Sequence, residues 1–61
     1  MPIIRVEMAA GRSAEQKREL AKALTRETAR IVGTSPSSIM VIIDDVAKEH
    51  WAVGGKLLSD T

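Results

Sequence analysis

The chain has 61 residues, of which 44% are hydrophobic, and it contains no cysteine. So short a chain holds one domain at most and covers only about 60% of the surface its unfolded form exposes, and without cysteine neither a disulfide nor a thiolate metal site can reinforce it. Nine basic residues stand against eight acidic ones, and a single Trp is the whole aromatic complement, which leaves neither the charge footprint of a nucleic-acid binder nor the stacking platform of single-strand recognition.

No apolar run approaches the length of a membrane span and no signal-peptide pattern opens the chain, so a cytoplasmic protein without membrane contact is expected. The apolar fraction is high for a small monomer. Association with further copies of the same chain is its expected outlet.

The chain opens Met1-Pro2. A small second residue favours removal of the initiator Met, which would leave the secondary amine of Pro2 as the N-terminus. α-Amino groups and imidazoles are the basic nitrogens that ordinarily titrate near neutrality, and the chain offers one of each, its N-terminus and His50. Residues 2–8 alternate, with Ile4, Val6 and Met8 on one side and Ile3, Arg5 and Glu7 on the other, which predicts a strand. Ala9-Ala10-Gly11 breaks it. Ser13-Ala14-Glu15-Gln16 has the form of a capping box, with Glu15 where the helix dipole favours an anion.

A helix is predicted from Ala14 to about Val32. Leu20, Leu24, Ile31 and Val32, with Ala21 and Thr28, form its apolar stripe, while Arg18, Lys22, Arg26 and Arg30, with Glu19, form a solvated face. Gly33 suits the left-handed position that ends a helix, and Pro36 bars continuation. Ile39-Met40-Val41-Ile42-Ile43 reads as a strand buried on both faces, the pattern of a parallel sheet. Strand, helix and strand make a right-handed βαβ unit. Two strands under one helix are marginal alone, so the second face of Ile39–Ile43 is expected to meet a partner subunit. Asp44-Asp45 is read as the turn that ends the strand, Ala47–Gly55 as a turn feeding a short hairpin arm, and the final residues are expected to fray. The expected fold class is α/β: residues 1–61 as a single βαβ domain with two parallel strands, one long helix and a short C-terminal β-hairpin, oligomerising through the sheet.

Several short motifs follow one another in a fixed order: Pro2 directly after the start Met, Gly11-Arg12-Ser13 with Glu15-Gln16-Lys17, Val41-Ile42-Ile43, and Ala47-Lys48 through His50-Trp51 to Gly54-Gly55. Each alone is unspecific. Together, over essentially the whole length, they make the chain resemble the 4-oxalocrotonate tautomerase family of small subunits with an N-terminal proline. The resemblance implies a homo-oligomer, a hexamer built from dimers. It also implies a catalytic role for Pro2, whose amine takes a proton from a 2-hydroxydienoate or related enol and returns it to a carbon along the conjugated system, without metal or organic cofactor. The implied setting is the catabolism of aromatic compounds.

Two further site residues follow. Arg12 precedes a helix N-terminus, where the dipole offers a cation nothing; it makes sense there as part of an anion site, binding a substrate carboxylate bidentately. Trp51 matches an aromatic wall of the family's active site and would also serve as an interface anchor. His50 is read as a residue that shapes the turn. The resemblance departs at Met40, where the best-studied members carry a second arginine, supplied from a neighbouring subunit to the far end of a dicarboxylate. Met cannot form that ion pair, so a monocarboxylate or a smaller enol is the expected substrate, with Arg5 or Lys48 as candidate substitutes for the missing cation. Two alternatives stay open: a dehalogenase- or decarboxylase-type relative with an added carboxylate to activate water, and a non-catalytic self-assembling module.

Overall fold

A computed structural model describes residues 1–61. The alternating opening stretch forms β1 (Ile3–Ala9), and the capped amphipathic segment forms α1 (Ala14–Val32). The capping box is present: the Gln16 amide donates to Ser13 Oγ at 3.1 Å and the Ser13 amide to Gln16 Oε1 at 3.0 Å. At the other end Gly33 takes φ 70°, and its N–H donates to the Ala29 carbonyl at 3.0 Å. A single 3-10 turn at Pro36–Ser38 leads into β2 (Met40–Val46).

β1 and β2 run parallel, in register from Ile3 beside Met40 to Ala9 beside Val46. Because side chains alternate across a strand, that register sorts the sheet into two faces. Ile4, Val6 and Met8 share the α1 side with Val41, Ile43 and Asp45. Ile3, Arg5 and Glu7 share the open side with Met40, Ile42, Asp44 and Val46. The ion pairs agree with this assignment: Arg5 Nη1 meets Asp44 Oδ2 at 2.9 Å on the open face, and Lys17 of α1 meets Asp45 on the other.

Three expectations need correction. Asp44 and Asp45 do not form a turn; β2 continues through both to Val46. Carboxylates are disfavoured in strands when they lose solvent without a partner, but each of these two faces a cation. The final residues do not fray either. Gly54 and Gly55, at φ 60° and 85°, make a two-residue turn that requires positive φ at both positions, and they join β3 (Ala52–Val53) to β4 (Lys56–Leu57). A 3-10 turn at Leu58–Asp60 follows, tied back by the Leu58 amide to the Trp51 carbonyl at 2.9 Å. Finally, Ile31 and Val32 belong to the helical stripe but stand 69% and 59% exposed. At 19 residues α1 is about 28 Å long, longer than the strands beneath it.

No residue is buried in the single chain, the strand expected to be covered on both faces included. The accessible surface is 4507 Å², against about 3,900 Å² for a compact monomer of this mass. The radius of gyration is 14.4 Å, with extents of 42 × 23 × 14 Å, where a compact domain of this length would have about 10–11 Å. The helix covers one face of the sheet and nothing covers the other. The chain has the shape of a subunit.

Candidate active site

Pro2 lies one residue ahead of β1, half-buried, with its carbonyl accepting the Met40 N–H at 3.0 Å. That bond fixes the residue at the first rung of the parallel ladder. Met1 precedes it, 83% exposed and outside the strand. While Met1 is attached, the Pro2 nitrogen is a tertiary amide and has no useful basicity. This end carries both apolar side chains and the hydroxyls of the turn from Thr34 to Ser38. Five of the six large exposed apolar side chains, Met1, Ile3, Ile31, Val32 and Met40, gather where the strands begin and α1 ends; only Val53 lies elsewhere.

Arg12 sits beyond the other end of β1. It is exposed and takes part in none of the chain's ion pairs. It lines a groove of about 240 Å³ with Met8, Gln16, Lys17 and Leu20. Because the capping box engages the amides of Ser13 and Gln16, those of Ala14 and Glu15 are left without intrahelical acceptors beside it.

Trp51 follows the 3-10 turn Lys48–His50, which the His50 amide closes onto the Ala47 carbonyl at 2.8 Å. Half-buried, it lines a groove of about 430 Å³ with Glu7, Val46, His50 and Ala52. His50 shapes the turn through its backbone, as expected.

A single chain does not bring these three residues together. Seven residues of extended strand separate Pro2 from Arg12, roughly 20 Å or more at the rise of a β-strand. Arg12 and Trp51 share the far end, but the first opens on the α1 side with Met8 and the second on the open face with Glu7. The largest groove, about 440 Å³ between Ala21, Lys22, Thr25, Arg26 and Pro36, contains none of them. Of the candidate substitutes for a second cation, Arg5 is committed to Asp44, whereas Lys48 lies on the Trp51 turn and takes part in none of the ion pairs. Two groove residues went unremarked as site candidates. Lys17 shares the Arg12 groove while holding Asp45, and Glu7 shares the Trp51 groove without an ion-pair partner. Only the register could have placed them. No three His, Asp or Glu side chains gather closely enough to hold a metal ion, and no helix is long and apolar enough to cross a membrane.

Comparison with known proteins gives this geometry a context. The family of tautomerase enzymes matches residues 2–61. The 2-hydroxymuconate tautomerase of Bacillus subtilis is 43% identical over 60 residues, which covers 98% of this chain and 97% of that protein. The crystal structure of a 4-oxalocrotonate tautomerase homologue superposes with a TM-score of 0.95 at 38% identity, covering 100% of this chain and 97% of the other. A chain of the heterohexamer 4-oxalocrotonate tautomerase of Chloroflexus aurantiacus superposes with a TM-score of 0.93 at 38% identity, covering 98% and 97%.

Proposed function

The chain belongs to the tautomerase family and is an isomerase of that kind; from that premise we propose that the amine of Pro2, freed by loss of Met1, is the base that moves the proton. The substrate is a 2-hydroxydienoate or a related unsaturated 2-oxo acid. The amine accepts the hydroxyl proton, the O–H electron pair becomes the carbonyl π bond, and the conjugated π electrons shift outward. The terminal carbon of that system then takes the proton back from the prolinium, which regenerates the amine.

The single observation that carries this reading is the position of Pro2. Its carbonyl is held by the Met40 amide at the first rung of the ladder, where Ile3 and Met40 stand exposed, and Met1 projects beyond it into solvent. Apolar surroundings favour the neutral amine, the form a base needs. Removal of Met1 takes nothing from β1, which starts at Ile3. Arg12 supplies the cation for the substrate carboxylate and for charge developing on the conjugated carbonyl; Trp51 excludes water.

Pro2 and Arg12 are a strand apart, so the site requires Arg12 from another copy. The surplus surface and the uncovered sheet face support that requirement. Six copies, as a trimer of dimers, are the proposed assembly, with residues 1–61 acting as one domain. The proposed setting is aromatic-compound breakdown in the cytoplasm.

The test compares chains prepared to begin at Met1 and at Pro2, each verified by intact mass. Chains that begin at Pro2 should isomerise 2-hydroxymuconate or phenylenolpyruvate. Those that keep Met1 should be slower by about 10²–10⁴-fold, the usual contribution of a general base. Equal rates would remove Pro2 from the chemistry.

A further inference from the structure

We propose that Lys17 is a positioning residue for Arg12: by holding the Asp45 carboxylate, it keeps Arg12 unpaired and open to the substrate. The proposal rests on Arg12 being the partner of the substrate carboxylate. Met8 and Asp45 are directly paired in the ladder and share the α1 side of the sheet. Of the six side chains that the two strands turn towards α1, Asp45 alone is charged. Met8 and Lys17 both line the Arg12 groove, and Asp45 is the ladder neighbour of the first and the ion-pair partner of the second.

A carboxylate in that position is a rival of the substrate. Guanidinium and carboxylate form bidentate, charge-assisted pairs, and a tethered partner acts at an effective concentration of about millimolar. Arg12 nevertheless takes part in none of the ion pairs. Lys17 supplies the reason. It leaves α1 from the first hydrogen-bonded turn, where its amide donates to the Ser13 carbonyl at 3.1 Å, and its ammonium meets Asp45 on β2. Arg12 lies in the loop just ahead of the N-cap. The Lys17 and Asp45 side chains stay 30% and 39% exposed, so a rival cation can reach the carboxylate once the ammonium is removed. Other acidic side chains of this end are directed elsewhere. Glu15 is bound to Arg18 at 3.2 Å, Asp44 is bound to Arg5 on the open face, and Glu7 and Glu49 belong to the Trp51 groove and its turn. An ammonium holds Asp45 as a point charge, which leaves the planar fork of Arg12 for a carboxylate presented by a ligand.

The experiment measures kcat and KM for phenylenolpyruvate with chains that begin at Pro2: the wild type, Lys17→Met, Asp45→Asn, the double variant and Lys17→Arg. Lys17→Met frees Asp45 to pair with Arg12. It should raise KM about fivefold with kcat unchanged, the factor that a strong exposed ion pair represents when it must break before the substrate binds. Asp45→Asn removes the rival and should give a KM no higher than that of the wild type. The double variant should bring the Lys17→Met value back to that level, and Lys17→Arg, which still holds Asp45, should keep it there. A mere brace between α1 and β2 predicts the opposite pattern: Asp45→Asn alone as harmful as Lys17→Met, and the double variant no better. That pattern overturns the proposal, and so does an unchanged KM in folded Lys17→Met. Lys17→Ala, which suits a helix, carries the same expectations where Lys17→Met does not fold. Arg12→Ala, assayed alongside, separates the two readings. Wild-type kinetics in Arg12→Ala discard Arg12 as the carboxylate's partner, whereas an impaired Arg12→Ala with an unaffected Lys17→Met discards only the role of Lys17.

Discussion

The two ends of the parallel pair differ in what they expose. Where β1 and β2 begin, Ile3 and Met40 stand exposed beside Pro2, with Ile31 and Val32 from the end of α1. Towards the far end Asp44 and Asp45 meet Arg5 and Lys17, Arg12 lines a groove with Met8 and Leu20, and Glu7, His50 and Trp51 line another. Pro2 stands at one end, and Arg12, which has no ion-pair partner, stands at the other. A neutral amine is favoured by apolar surroundings, and a carboxylate needs a guanidinium to replace its water. A chain whose first strand is fully extended cannot fold these two ends onto each other. Copies of the chain can bring one molecule's apolar end to another's charged end, and catalysis is then tied to assembly.

Mixing experiments break this comparison most directly. Arg12→Ala should lower kcat/KM for an enol acid by about 10–100-fold, the cost of leaving a desolvated carboxylate without its charged partner, with no loss of helix content. A chain that retains Met1 is impaired for the separate reason given above. Dissociated together and reassembled, the two impaired proteins should recover activity well above the sum of the parents, because some interfaces then pair an intact Pro2 with an intact Arg12. Recovery no greater than that sum would mean that both groups act within one chain.

A smaller effect is expected from Ile31→Lys. In the single chain Ile31 is 69% exposed, and a surface substitution of that kind ordinarily changes stability by less than about 0.5 kcal/mol. If the apolar end is covered in the oligomer, the same change removes about 1.5–3 kcal/mol of burial from every copy. Sedimentation over a dilution series should then show dissociation at higher concentration than in the wild type. An unchanged profile would leave the exposed stripe without a partner.

What could be read from the sequence follows the range of the interactions involved. The helix was legible at both ends because its signals are local: Ser13 and Gln16 are three residues apart, and Gly33 caps the turn it follows. The end of β2 was not. Whether Asp44 and Asp45 stay in a strand depends on Arg5 and Lys17, 39 and 28 residues away in the chain. The ordered C-terminus depends likewise on the Leu58 amide finding the Trp51 carbonyl across a hairpin. For the site, residue types and order pointed to Pro2, Arg12 and Trp51, while their separation emerged only once β1 was seen to run extended between the first two.

The smallest expected effect tests the charged end on its own terms. Arg5 and Asp44 are 58% and 41% exposed at the side chain, so water screens the pair. If it stays that open, Asp44→Asn should cost no more than about 1 kcal/mol, the usual worth of an exposed ion pair. The pair nevertheless lies on the uncovered face of the sheet, between Ile42 and Glu7. If a second copy covers that face, Arg5 becomes a charge without a partner in a desolvated interface, and the loss should rise to about 3–5 kcal/mol. Urea titration of Asp44→Asn at two protein concentrations distinguishes these outcomes. A small shift that does not depend on concentration leaves the face in solvent; a large one that grows on dilution places the Arg5–Asp44 pair inside the assembly.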